Sequence, residues 1–231
     1  MEEEDPTPSV SLVVLGIMSW SIIFIFFRRT LPNFSFDFCS RLVATIHASL
    51  ALSLASLSVQ DWSCPVCPQA SSSSPSQKRT LAVTLSYLIY DLGCCFLNKQ
   101  LPLDTLFHHL VSITGIGACL LYGMSGAELV AALWVTEIST PFLHLRELIK
   151  ELGFKDTDLN LAVDILFATF FTLGRMVGGP YVTHSTWAAN NPILIKVMAM
   201  GLQLVSVFWF YKILNMVKHK LLKRVSANKK P

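Results

Sequence analysis

Seven stretches of about 20 mostly apolar residues dominate this chain of 231 residues, at 10–27, 39–59, 81–97, 103–122, 127–145, 159–182 and 193–217. Inside a hydrocarbon layer no water is present to satisfy backbone N–H and C=O groups, so each stretch must close its hydrogen bonds internally as a helix. The pattern predicts an all-α multi-pass membrane protein with about seven transmembrane helices. Charge excludes the water-soluble alternative. Charged residues make up 14% of the chain, hydrophobic residues 52% and the mean hydropathy is +0.53, whereas a soluble domain carries roughly a quarter charged residues to cover its surface. The net charge is only +3 and the basic residues do not interleave with aromatics along one face, so no nucleic acid is expected as a partner.

Lysine and arginine placement orients the spans, because cytoplasmic loops beside membrane helices collect positive charge. An outside N-terminus puts Arg28, Arg29, Lys99, Arg146, Lys150, Lys155 and six basic residues between Lys218 and Lys230 inside, 12 of the 18 in the chain. Lys78 and Arg79 fall in an outer loop, and Arg41, Arg175, Lys196 and Lys212 lie within the stretches. Glu2, Glu3, Glu4 and Asp5 precede the first stretch and Arg28 and Arg29 follow it. That order is the reverse of a cleavable signal peptide, so the first helix is expected to remain as an anchor. The long loop at 60–80 contains Cys64-Pro-Val-Cys67, which fits a local disulfide or two free thiols, since a structural zinc site needs a second pair. The serine run at 71–74 has the composition of a flexible linker. Cys39, Cys94, Cys95 and Cys119 lie in apolar stretches and behave as small buried hydrophobes.

Ionisable side chains at bilayer depth cost kilocalories unless they face a protein interior and find partners there. This chain carries many: Arg41 and His47 in the second stretch, Asp91 in the third, His108 and His109 in the fourth, Glu137 and His144 in the fifth, Asp164 and Arg175 in the sixth. Helical spacing sorts them into faces. Tyr87, Asp91, Cys94 and Asn98 share a stripe. Glu137 and His144 share another, with Thr140 and Pro141 between them at an expected kink. Asp164 and Arg175, eleven apart, nearly eclipse. His108 and His109 are separated by about 100° of helix, so both can border one cavity, with Thr105 and Ser112 within a turn. The expected result is a polar lumen. An imidazole pair backed by carboxylates suits general base and orienting roles in acyl transfer. The same pair could bind zinc or iron, but adjacent histidines lack the spacing that puts two ligands on one helical face, so that alternative is not favoured and no metal is expected. Interhelical hydrogen bonding accounts for Arg41, Asp164 and Arg175 at least as well as catalysis does. No GxSxG, HExxH or glycine-rich phosphate loop is present, which argues against a serine lipase, zincin or nucleotide hydrolase.

Ser40-Arg41-Leu42 with His47, Ser86-Tyr87 with Tyr90-Asp91-Leu92, His108-His109-Leu110, Glu137 to Phe142 with Arg146, and Asp164 with Phe167, Phe170 and Arg175 resemble, in order and spacing, the TLC-domain membrane proteins. The similarity is greatest to the small TLC-domain-containing subgroup, distantly related to the ceramide synthases. It implies a TLC domain over 35–220, preceded by an N-terminal tail and first helix at 1–34 and followed by a basic cytoplasmic tail at 221–231. It further implies six helices forming a barrel in the endoplasmic reticulum, Golgi or a related internal membrane, with membrane lipids as partners. By the same resemblance His108 and His109 are the candidate catalytic pair, and Arg41, His47, Tyr87, Asp91, Glu137, His144, Asp164 and Arg175 line the cavity. Where ceramide synthases continue into a motif with a histidine and two aspartates, this chain has Gly123 to Ala127 and then Glu128.

Three functions are consistent with that resemblance. The first is lipid binding or remodelling in membrane lipid homeostasis, including sphingolipids. The second is an acyl-CoA-dependent N-acyltransferase, in which acyl-CoA is a co-substrate and no other cofactor is expected. The third is a non-enzymatic cargo or lipid-transport factor. The chain ends Asn228-Lys229-Lys230-Pro231, which sets the lysine pair one position too late for a dilysine retrieval signal.

Overall fold

The computed structural model describes residues 7–98 and 101–228, with side chains from 9 to 219 in those ranges. The acidic residues at 2–5, Lys99 and the lysines at 229 and 230 lie outside the described residues. The side chains of Lys220, Lys223 and Arg224 do so too.

The helices are α1 (Thr7–Thr30), α2 (Phe36–Ser58), α3 (Pro75–Leu97), α4 (Leu103–Tyr122), α5 (Gly126–Glu137), α6 (Thr140–Ile149), α7 (Asp158–Phe171), α8 (Gly179–Ala188) and α9 (Ile193–Asn228). Among the described residues, six spans are long and apolar enough to cross a membrane: Ser9–Thr30, Phe36–Ser58, Pro75–Leu97, Leu103–Tyr122, Asp158–Ala188 and Ile193–His219. The protein is an all-α multi-pass membrane protein. The remaining expected span, the fifth, is two short helices, α5 and α6. They break at Ile138 and Ser139, just before Pro141, whose ring cannot supply the N–H that a continuous helix needs.

Local chemistry sets most helix ends. The Ser35 hydroxyl accepts from the Phe38 N–H at the start of α2, and Thr157 does the same for Asn160 at the start of α7. Ser74 and Gln77 form a reciprocal capping box that opens α3. At the end of α4, Gly123 takes φ 67°, the left-handed turn that closes a helix at little cost only for glycine.

Six segments close into a ring. Going round it, α2 contacts α3, α3 contacts α4, α4 contacts α9, α9 contacts α7 and α8, and these contact α6 and α5, which return to α2. The helix α1 packs outside the ring against α3 and α2. There Trp20 is buried and its indole N–H donates to the Ser86 hydroxyl at 3.1 Å. The faces away from the ring carry large apolar side chains such as Ile22, Phe26, Leu121, Val177 and Leu204, as a lipid-facing surface requires.

The serine run is not a free linker. Ser71 and Ser73 exchange backbone hydrogen bonds with Ser125 and Gly123, at 2.8 and 2.9 Å. Ser72 and Met124 pair as an antiparallel bridge, and Ser74 caps α3. Backbone pairing to the α4–α5 turn, which composition cannot reveal, orders the run. Cys64 and Cys67 are disulfide-bonded. Nearby, the hydroxyl and the backbone N–H of Ser63 donate to Asp61 and hold its exposed carboxyl below the ordinary range.

Candidate functional site

A cavity of about 100 Å³ lies inside the ring, bounded by α3, α4, α5, the α7–α8 segment and α9. Leu88, Val111, Ile116, Leu133, Met198 and Ala199 supply its apolar wall. Polar groups sit at its two ends, and the helices leave them incompletely paired.

At one end are His108, Glu137 and Arg175. Arg175 stands in a π-helical stretch, Thr172–Gly178, that joins α7 to α8. The wider turn shifts the hydrogen-bond register, so the Gly179 N–H donates to the Gly174 carbonyl and not to that of Arg175. The freed Arg175 carbonyl accepts from the Gln203 amide of α9 at 3.2 Å. Gly179 makes this approach possible, since a Cβ there would lie 2.5 Å from the Gln203 side-chain oxygen. The Arg175 guanidinium is buried. Its Nη2 donates to the Thr136 carbonyl at 3.0 Å, and its face lies over the rings of Phe171 and Trp209 at 5.3 and 5.5 Å, which stabilises a cation away from water. Four buried atoms here find no hydrogen-bond partner among the described residues: Arg175 Nε and Nη1, Glu137 Oε2 and His108 Nδ1. Each such atom costs about 1–3 kcal/mol if left unsatisfied.

At the other end is Glu128, which is buried and lines the same cavity. Its Oε1 accepts from the Ala70 N–H at 2.6 Å and the Asn191 amide at 3.0 Å. The Ser125 hydroxyl donates to Asn191 Oδ1 at 2.5 Å. These bonds tie the long loop, the α4–α5 turn and the α8–α9 turn together over the cavity.

The remaining polar residues form separate groups. His47 stacks flat on Tyr87 with ring centroids 3.8 Å apart, and Trp20 meets both edge-on at 5.7 Å. His109 Nε2 lies 2.9 Å from Asp91 Oδ2, and its Nδ1 lies 2.9 Å from the Thr105 carbonyl. The adjacent histidine rings are 5.7 Å apart and nearly perpendicular. They therefore diverge, His108 to the cavity and to Trp209 at 5.0 Å, His109 to α3. Ser112 lines the cavity one turn beyond His108. His144 has a buried, unpartnered Nδ1 among the described residues but does not line the cavity. Arg41 pairs with Asp37 one turn away at 2.6 Å.

Asp164 and Arg175 pair with different neighbours along the α7–α8 segment. Asp164 turns to Arg146 of α6 at 2.7 Å, while Arg175 turns to Thr136 of α5. Glu128, Asn191, Gln203 and Thr136 take part at sites that helical spacing does not mark, because their partners come from other helices.

Comparison with known proteins agrees with this architecture. Residues 37–215 match the family profile of the TLC domain. TLC domain-containing protein 4-B of Danio rerio is 29% identical over 197 residues, an alignment covering 79% of this chain and 74% of that protein.

Proposed function

The chain belongs to the TLC-domain family, and from that premise we propose that it binds or remodels membrane lipids in its helical cavity and acts in membrane lipid homeostasis. The observation that carries this reading is the set of four unpartnered atoms on His108, Glu137 and Arg175 at one end of an apolar cavity. A lipid matches both halves of that arrangement. Its acyl chain replaces water along Leu88, Val111, Ile116 and Leu133. Its polar head offers oxygen acceptors to the two free N–H groups of Arg175 and a donor to Glu137. The head satisfies groups that the protein alone leaves unpaired, so binding recovers their desolvation cost. The host membrane is an internal one, and the C-terminus is cytosolic. The basic residues support that orientation, with Arg28, Arg29, Arg146, Lys150 and Lys155 gathering at the bundle end where α1 and α6 finish.

Native mass spectrometry of the purified chain tests the reading, with a co-purifying lipid as the expected result. Release of that lipid by Arg175→Gln would place it in this cavity. A cavity free of lipid in every preparation would sink the reading. A protease-accessible C-terminal tag on the cytosolic side is the expected result for topology.

His108 favours a second reading. Its Nδ1 is unpartnered and its ring borders the cavity with Glu137 and Arg175, the groups a general base needs beside a polarised carbonyl. In that reading the protein transfers an acyl group from acyl-CoA to a long-chain amine. Purified protein given acyl-CoA and an amine panel is then expected to form amide, and His108→Ala to abolish it while the fold persists.

A further inference from the structure

Asp91 and Cys95 lie four residues apart on α3, one above the other on a single face, and His109 reaches them from α4. A carboxylate oxygen, Sγ and a ring nitrogen from the three lie within 4.8 Å of one another. Cys95 is a free, half-buried thiol. His109 Nδ1 faces the Thr105 carbonyl, and a carbonyl only accepts, so that nitrogen carries a hydrogen. The neutral ring then presents Nε2 as a lone pair, directed at Asp91 Oδ2 only 2.9 Å away. Two acceptors at that separation need a cation between them, a proton or a metal ion. A histidine tied to a backbone carbonyl is the outer contact that holds a metal ligand in position.

We propose that Asp91, Cys95 and His109 form a metal site for a borderline divalent ion, zinc by its donor set, that clamps α3 to α4. Thiolate, imidazole and carboxylate are ordinary zinc ligands, and three from the protein leave a fourth position for water. Binding displaces the thiol proton of Cys95 and the proton shared by His109 and Asp91, so protons leave as the ion enters. Tetrahedral bonds of about 2.0–2.3 Å separate ligand atoms by roughly 3.3–3.6 Å, so the nitrogen–oxygen pair opens slightly and the sulfur closes in. The ion sits on the α3 side of His109, away from the cavity, and the inference stands independently of lipid binding.

The test uses full-length protein in detergent, stripped with chelator and titrated with zinc and, separately, with cobalt. One zinc per chain is expected, with a near-ultraviolet thiolate-to-cobalt band. Cys95→Ser should remove the band, and both Cys95→Ser and Asp91→Asn should weaken zinc binding about tenfold or more. The Cys64→Ser, Cys67→Ser double variant should bind like the parent. Zinc should raise the Tm of the parent but not of Cys95→Ser, and the metal-free Tm of the two proteins separates ligand loss from unfolding. No stoichiometric uptake by the parent overturns the proposal, as does uptake that neither Cys95→Ser nor Asp91→Asn alters.

Discussion

Arg146 of α6 and Asp164 of α7 form an ion pair at 2.7 Å, with the aspartate buried. The arginine also lies over the Phe167 ring at 5.3 Å and donates to the Met216 sulfur of α9. The pair thus joins three segments of the ring. Removing Asp164 leaves the Arg146 charge with only the longer Glu147 contact at 3.6 Å, and losing one partner of a buried pair costs up to about 3–5 kcal/mol, whereas replacing both with apolar residues costs much less. Asp164→Leu is therefore expected to destabilise the protein more than the Arg146→Leu, Asp164→Leu double variant does. Unfolding in detergent measures both, and an additive cycle would contradict the coupling.

Gly179 permits the contact that satisfies the Arg175 carbonyl. A methyl group there displaces the Gln203 amide, and the carbonyl then loses its donor within the bundle. Gly179→Ala is expected to cost about 1–3 kcal/mol, although alanine is the better helix former. Gln203→Leu should cost a similar amount, and the two changes should not add, because both remove one bond. Thermal melting of the two single variants and their combination checks this.

The fold was legible because membrane solvent simplifies the problem: each long apolar stretch has one structure open to it. The break of the fifth stretch was legible in Pro141 for the same reason. Facing was less so. The different partners of Asp164 and Arg175 depend on which helix packs beside each level of the α7–α8 segment, α6 for one and α5 for the other, which a helical period cannot express. The serine run is ordered by backbone bonds to a turn some fifty residues away. His108 and His109 diverge because Asp91 and the Thr105 carbonyl hold one ring while the cavity leaves the other unpaired. Cys95 has the composition of a small buried hydrophobe, and only the approach of α4 to α3 sets its sulfur beside His109 and Asp91. A search for ligands along one helix does not find a set divided between two.

Asn191 is the junction of the cap over the cavity, taking the Ser125 hydroxyl and giving its amide to Glu128 and to the Thr186 carbonyl. Asn191→Ala leaves Glu128 with one donor fewer and should cost about 1–3 kcal/mol. Asn191→Asp sets a second carboxylate against Glu128 and should cost more. The order of the two in thermal unfolding, aspartate below alanine, distinguishes an electrostatic junction from simple packing; the reverse order would exclude it.

In the proposed lipid-binding role, packing and ligand recognition part at Arg175. Its Thr136 bond and its two aromatic faces hold the guanidinium in place, while Nε and Nη1 remain for a ligand. Arg175→Lys keeps the charge but loses the planar fork that engages two acceptors at fixed angles. If each lost bond to the lipid head is worth about 1.5–3 kcal/mol, the change lowers lipid retention by roughly ten- to a hundredfold per bond. Arg175→Gln keeps one amide donor and removes the charge, and should retain less lipid than lysine if the head is anionic, more if it is neutral. Lipid retained per chain by the two variants, quantified by mass spectrometry after identical purification, therefore reads the charge of the head group directly. Equal retention by both variants and the parent would mean that the free guanidinium atoms do not touch the ligand.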